Sequence, residues 1–304
     1  MKILTVYNTC GINGDKIDWY IQCIESILRQ DYKNQKVVVS SCLNSEDCMR
    51  RLKKKFGDKI IVCLYRDRYI VNTTFNKTVL EFGKDCDAYF FLDSGVDLGD
   101  DTSVLSQMVE RLSDSSMVSV QTDTDTGFES IGLKQDSDIS QVKEDIEIPV
   151  GKGINLHCQL FSRDILDTFG LVIPDVFAAY CTESTFSFLN ACVEKKWKII
   201  KDVIVHHNKA VDGPSSSQPH WSPVHRTPWN NLLYGRDARD FIHDPQAISA
   251  GLGYEECGKI MLHDDSAYSN GIPKHKQELI DSVKKYFYSN KEELNYAIIN
   301  TTIF

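Results

Sequence analysis

Two carboxylates close an uninterrupted apolar run, A-Y-F-F-L-D-S-G-V-D over 88–97. Ala88–Leu92 is rich in aromatics, which suits a strand buried on both faces, and Ser94-Gly95 ends it with a turn. Asp93 and Asp97 stand four residues apart with a glycine between them, where backbone can approach a ligand. Open α/β sheets bind ligands just beyond the carboxyl ends of their strands, so this pair would face a crevice. The chemistry it suits is holding a divalent cation that carries a phosphorylated substrate. A structural role is equally open: Asp97, Asp100 and Asp101 precede the periodic run V-L-S-Q-M-V-E-R-L and could cap a helix. Arg66 and Arg68, in L-Y-R-D-R-Y, could reach phosphates as planar forks or stand as solvated surface charges.

Such a strand end needs a sheet behind it. Lys2–Tyr7 reads as a strand and Asn8–Asp15 as a turn, after which Ile17, Tyr20, Ile21, Ile24, Ile27 and Leu28 recur at helical spacing. Lys36–Ser41 is a second strand, Ser45–Phe56 a basic helix, Lys59–Tyr65 a third strand, and Thr74–Phe82 a helix leading into the aspartate-bearing strand. Strands alternating with helices in this way imply an α/β fold with a largely parallel sheet. The pattern continues through a helix near Asp101–Leu112 and a strand Met117–Thr122. Asp123–Glu147 is acidic and polar and reads as a surface loop or flap. Then come a strand Ile154–Phe161, a helix Arg163–Phe169, a loop Gly170–Ala179, a helix Thr182–Lys195, and a strand Trp197–Val205 that ends in His206-His207. At Asp212 the composition shifts to D-G-P-S-S-S-Q-P-H-W-S-P, which divides residues 1–212 from a segment, 213–304, expected to be mainly helical, most clearly at Asp237–Ile242 and Lys276–Tyr288.

Composition narrows the partners. A net charge of −9 argues against a mainly electrostatic grip on nucleic acid, so no nucleic acid partner is expected, and an anionic ligand would need a cation or helix N-termini to hold it. The ten cysteines include no C-x-x-C pair, which argues against a zinc knuckle; several fall in apolar segments and read as reduced thiols. The apolar start M-K-I-L-T-V-Y is too short for a signal peptide, and no stretch approaches about 18 apolar residues. A soluble, cytoplasmic protein without a transmembrane segment is the expectation.

Several segments, in order, resemble the nucleotide-sugar-binding core of a GT-A glycosyltransferase, in particular family 2. I-D-W-Y-I-Q-C-I-E-S-I-L-R-Q-D-Y-K-N-Q-K-V-V-V-S-S is similar to that family's first helix, its S-I-L-x-Q-x-Y stretch and the next strand. F-N-K-T-V at 75–79 resembles the R-N-x-G-I helix start, and F-L-D-S-G-V-D resembles the segment bearing the metal-binding D-x-D. The resemblance covers about two-thirds of the chain. It implies a Rossmann-like GT-A domain over 1–212, a mostly parallel sheet flanked by helices, with a mainly helical C-terminal extension over 213–304 on the acceptor side or in oligomerisation.

The resemblance also assigns roles. Asp93 would ligate Mn2+ or Mg2+. The family's second aspartate position falls on Gly95, so Asp97 is taken as its substitute, with His206 or His207 completing the shell near the diphosphate. Donor binding would draw on Tyr7, Asn8 and Thr9 after the first strand, Ser40 and Ser41 after the second, Arg66, Arg68 and Asn76, and Asp93, Ser94 and Gly95. Family habit favours uridine, although serines stand where an aspartate usually reads uracil. F-A-A-Y-C-T-E-S-T-F over 177–186 is similar to the F-x-x-Y segment preceding the family's E-D pair, which makes Glu183 the acceptor base; a cap formed by Thr182 and Glu183 is the structural alternative. His157, Gln159 and the loop around Lys152 are lesser candidates for substrate contact.

The implied activity is transfer of a sugar, of hexosyltransferase type, from a nucleotide-diphosphate sugar to a carbohydrate or glycoconjugate acceptor, inverting and metal-dependent. A non-catalytic GT-A-like module that binds nucleotide or glycan is the alternative, and a sugar nucleotidyltransferase a third, disfavoured because no glycine-rich basic loop follows the first strand. A homo-oligomer is compatible with each.

Overall fold

The computed structural model describes residues 1–9, 15–41, 44–65, 71–123, 144–148, 157–170, 172, 193–208, 211, 268–269, 272–273 and 301–304. Arg66, Arg68, Lys152, Thr182 and Glu183, and the helices expected at 237–242 and 276–288, lie outside the described residues.

Apolar, β-branched runs form the strands and amphipathic runs the helices between them. β1 (Ile3–Thr9) is buried throughout, and α1 (Ile17–Arg29) turns Tyr20, Cys23, Ile24 and Ile27 inward. β2 (Gln35–Ser41) follows, then α2 (Glu46–Phe56), whose Ser45 cap accepts from the Cys48 N–H and whose lysines stand in the last turn, as the helix dipole favours. Next come β3 (Ile61–Tyr65), α3 (Val71–Phe82), β4 (Ala88–Asp93), the short β5 (Val96–Asp97) and α4 (Val104–Arg111). β6 (Ser115–Thr122), β7 (Ile146–Glu147), β8 (Cys158–Ser162), α5 (Arg163–Phe169) and β9 (Lys196–His207) follow before Asp212 among the described residues. β10 (Tyr268–Ser269), β11 (Ile272–Pro273) and β12 (Thr301–Ile303) lie beyond it.

Among the described residues these strands form a ten-stranded sheet in the order β12-β3-β2-β1-β4-β8-β6-β9-β5, with β7 on β9. β1, β2, β3, β4, β6 and β9 run in one direction, whereas β8 runs against both of its neighbours. The α/β expectation with a mostly parallel sheet therefore holds. One face packs Ile24, Ile27, Met49, Leu52, Leu105 and Met108 of α1, α2 and α4 onto Val39, Val62, Phe90, Leu92 and Leu160. On the other, Phe75 of α3 meets the rings of Phe91 and Phe161 at 5.1 and 5.9 Å.

Three boundaries differ from the sequence pattern. The polar segment 123–147 ends in a strand, because β7 pairs antiparallel with β9. Val193 and Glu194, expected to lie in the last turn of a helix, form a turn with Glu194 at φ 57°; the rest of that expected helix before Val193 lies outside the described residues. The segment 213–304 is not helical to its end: β12 pairs with the free edge of β3 and covers it, burying an edge that would otherwise expose unpaired backbone groups. No helix among the described residues is long and apolar enough to cross a membrane.

Candidate functional site

The carboxyl ends of the parallel strands lie level with one another. Asn8 is in register with Ser40 on one side and Asp93 on the other, and Thr9 with Ser41. Because β8 runs antiparallel beside β4, its entry meets the end of β4, and the Asp93 N–H donates to the His157 carbonyl at 2.9 Å. β9 arrives at the same level from the far side of β6 and brings His207.

Asp93, His157 and His207 each offer one ligand atom, and these atoms lie within 4.8 Å of one another. His157 Nδ1 is 3.3 Å from Asp93 Oδ2, and the two imidazole rings lie 3.9 Å apart at 30°. Burial alone would push the Asp93 carboxyl up. The hydrogen bond with His157, the fields of His157 and His207, and the Ser94 N–H at 2.6 Å outweigh it and hold the carboxyl below the usual carboxylate range. Two imidazoles and a carboxylate form a donor set that fits a first-row divalent cation.

The surrounding shell holds these groups in place. Tyr7 Oη and Trp19 Nε1 both donate to the Ser94 carbonyl, at 2.8 and 2.9 Å, and pin the turn after Asp93. Asp123 Oδ1 accepts from the His207 N–H at 2.8 Å, while its Oδ2 lies 2.5 Å from His206 Nδ1. The Asn208 N–H donates to the Gly95 carbonyl at 2.8 Å, tying the end of β9 to the same turn. The Ser94 hydroxyl is buried without a hydrogen-bond partner, directly beside the donor set.

The expected cation ligands separate. Asp93 and His207 meet, joined by His157; Asp97 and His206 are directed elsewhere. Asp97 is 5% exposed and accepts from Gln22 Nε2 at 2.6 Å and from the Gly99 N–H at 2.9 Å, so its carboxylate closes the β5 turn onto α1. His206 is exposed, engaged by Asp123 and set edge-on against Trp19 at 5.8 Å. The reason is strand alternation: successive side chains face opposite sides, and residues 203–207 alternate between buried and exposed.

Of the expected donor-binding residues that are described, Asn8, Thr9, Ser40, Ser41 and Asp93 stand at the strand ends, but much of this polarity is spent within the protein. Tyr7 is fully buried under Ser94. Thr9 Oγ1 donates to the Ser40 carbonyl at 3.0 Å, Ser41 Oγ to the Thr9 carbonyl at 2.9 Å, and Ser40 Oγ to Asn8 Oδ1 at 3.3 Å. Asn44, which no pattern marked, completes this net by donating to Thr9 Oγ1 at 2.8 Å. Asn76 Oδ1 accepts from the Val172 N–H at 3.2 Å, joining α3 to the segment after α5. Two side chains at this cluster take places that the sequence pattern did not give them. His157 read as a substrate contact, and Asp123 as the first residue of a loop; each acquires its place from a strand pairing rather than from a motif.

No family model matches the sequence, and no curated protein sequence does. Solved structures do match. The Staphylococcus aureus TarS fragment 1–349 in complex with UDP-GlcNAc aligns over 96% of this chain and 92% of its own at 12% identity, with a TM-score of 0.54. The mannosyltransferase PcManGT from Pyrobaculum calidifontis, in complex with GDP-Man and Mn2+, aligns over 98% of this chain and 85% of its own at 15% identity, with a TM-score of 0.51. At these identities the likeness speaks for architecture, and it agrees with the strand order and the level strand ends. The chain has the GT-A glycosyltransferase fold.

Proposed function

We propose that this protein transfers a sugar from a nucleotide-diphosphate sugar to an acceptor hydroxyl, with a divalent cation held at Asp93, His157 and His207. The observation that carries the reading is the convergence of those three side chains at the carboxyl ends of the strands of a GT-A fold. The nucleotide sugars bound by two structural neighbours, and the Mn2+ in one of them, support a donor and a cation of these classes. One neighbour holds a uridine and the other a guanosine nucleotide, so the uridine preference rests on the resemblance alone.

Negative charge grows on the leaving diphosphate as the glycosidic bond breaks, and a cation bound there supplies Lewis-acid stabilisation. Asp93 and the two histidines fix where that charge is met. Tyr7 and Trp19 keep the turn around Ser94 rigid, and Asp123 orients the backbone at His207. Glu183 is assigned the base that takes the acceptor proton, for a single inverting displacement; this assignment comes from the F-A-A-Y-C-T-E segment and lies outside the described residues.

A thermal-shift panel of nucleotide sugars with and without Mn2+ tests donor binding, since a ligand of the folded state raises apparent stability by mass action. Glu183→Gln is expected to keep the donor-induced shift while transfer falls by about 100-fold or more, the size of a general-base contribution. A folded Glu183→Gln protein with unchanged turnover removes Glu183 from that role. Absence of a shift with every donor refutes the transferase reading.

A further inference from the structure

One buried side chain beside the cation cluster takes no part in it. Gln121 of β6 is 1% exposed, and among the described residues neither its Nε2 nor its Oε1 has a hydrogen-bond partner. Strand pairing fixes its level. β6 meets β8 antiparallel with Ser119 opposite Gln159, and β8 meets β4 antiparallel with Cys158 opposite Leu92. Carried on toward the strand ends, by two residues and by one, these registers bring Gln121, His157 and Asp93 into one row across β6, β8 and β4. The bond from the Asp93 N–H to the His157 carbonyl marks one half of that row. At about 4.8 Å between neighbouring strands, the Gln121 backbone stands about 5 Å from that of His157 and about 10 Å from that of Asp93. Ser119, two residues back on the same side of β6, has its hydroxyl taken by Trp197 Nε1 at 2.8 Å; the Gln121 carboxamide has no such neighbour. An unpaired interior carboxamide costs stability that an apolar side chain of the same size would not, and native proteins keep few of them.

We propose that the Gln121 carboxamide binds two adjacent hydroxyls of the transferred sugar, so that the donor is a nucleotide-diphosphate sugar whose ring carries a free vicinal diol. This rests on the transferase reading, which puts a diphosphate on the cation at Asp93; the sugar bonded to that diphosphate then lies within reach of the neighbouring strands. The chemistry of the amide selects among the parts of the donor. Its Oε1 accepts and its Nε2 donates, side by side in one plane. A phosphate oxygen only accepts, so it would satisfy Nε2 and leave Oε1 buried against an anion. An acetamido substituent, held trans, presents its N–H and C=O in opposite directions and meets one of the two amide atoms. Adjacent hydroxyls each donate and accept, and fill both with no charge to desolvate.

The test uses the full chain with Mn2+ and compares, by calorimetry, UDP with UDP-glucose and UDP-galactose, and GDP with GDP-mannose. Gln121→Leu should hold free-nucleotide affinity within about twofold and weaken the preferred nucleotide sugar by about 10- to 100-fold, the loss of two hydrogen bonds. Its ligand-free melting temperature should equal or exceed that of the unmodified protein, because an unpaired buried group has been removed. Equal weakening of nucleotide and nucleotide sugar would place the amide on the base or the phosphates and overturn the proposal. A folded Gln121→Leu protein with unchanged nucleotide-sugar affinity overturns it as well. Should Gln121→Leu fail to fold, the unmodified protein decides: monodeoxy forms of the preferred donor should lose at least about 10-fold at two adjacent ring positions, because a site built for a hydroxyl rejects an analogue that leaves its polar groups unpaired. Loss at no adjacent pair overturns the assignment while sparing the transferase. Failure of every UDP- and GDP-sugar to bind the unmodified protein instead refutes the transferase reading, and this inference with it.

Discussion

Asp97→Ala separates the two aspartates that the sequence offers as a pair. The Asp97 carboxylate joins Gln22 of α1 to the Gly99 turn, where φ is +68° and the N–H has this carboxylate as its acceptor. A net hydrogen bond is worth about 1 kcal/mol, and a buried donor left unpaired costs about 1–3 kcal/mol. Gln22 is exposed and would find water, whereas the Gly99 N–H is partly buried. Removing the carboxylate should therefore destabilise the fold by about 2–3 kcal/mol. At about 2–4 °C per kcal/mol for a domain of 150–250 residues, the melting temperature should fall by roughly 4–12 °C. Asp97→Asn keeps one carbonyl acceptor and should lose about half as much. Cation affinity, measured by Co2+ titration below the melting temperature, should stay within about twofold of the unmodified protein for Asp97→Ala, whereas Asp93→Ala should lose at least about 10- to 100-fold. Asp93→Ala leaves the Ser94 N–H without its carboxylate acceptor and should also lower the melting temperature, so its cation affinity is likewise read below that temperature. An Asp97→Ala protein that melts normally but no longer binds the cation would refute the structural assignment and return Asp97 to the ligand set.

Two further predictions concern the scaffold behind the site. A Cβ at Gly83 would meet the Val79 carbonyl at 2.8 Å, the Tyr89 ring at 2.9 Å and Leu4 at 3.1 Å, so Gly83→Ala should destabilise by about 1–3 kcal/mol in urea unfolding; an unchanged midpoint would mean that the α3–β4 junction yields more freely than its packing implies. Hydrogen bonds from Lys2 and then Lys36 outweigh desolvation and hold the Asp85 carboxyl well below its ordinary value. A depressed folded pKa stabilises fully above the unfolded value, about 3.9, and that contribution is lost as pH falls through the folded value. The stability gap between the unmodified protein and Asp85→Asn should therefore be constant near neutrality, shrink below about pH 4 and shrink with added salt; a gap that persists undiminished to about pH 2 refutes the linkage.

Local pattern made much of this architecture legible. The runs Lys2–Tyr7, Lys36–Ser41 and Ala88–Leu92 each hold consecutive apolar residues, Ile3-Leu4, Val37–Val39 and Ala88–Leu92, that are buried in the sheet, and the periodic residues of α1 and α2 are the ones that pack. Asp93 at the end of β4 followed from the same logic, since a carboxylate that closes a buried strand stands where the sheet meets solvent. The boundary errors fell where periodicity is weakest. β7 and β12 are two and three residues long, too short to show a period, and each exists because a neighbouring strand lends it hydrogen bonds.

The cation site divides along the same line. Residue type and alternation within one strand show which side chains share a face, and this suffices to name Asp93 and to keep His206 and His207 apart once the strand is known. Neither identifies neighbours on other strands. His157 meets Asp93 across 64 residues because β8 inserts antiparallel between β4 and β6, and His207 joins them because β9 runs beside β6 to the same level. Asp97 leaves the set because Gln22, on a helix packed beneath β5, takes its carboxylate. Sequence determined the strands and the chemistry available at their ends; the order in which the strands pair, a cooperative outcome of burying both faces of one sheet, decided which of those groups meet.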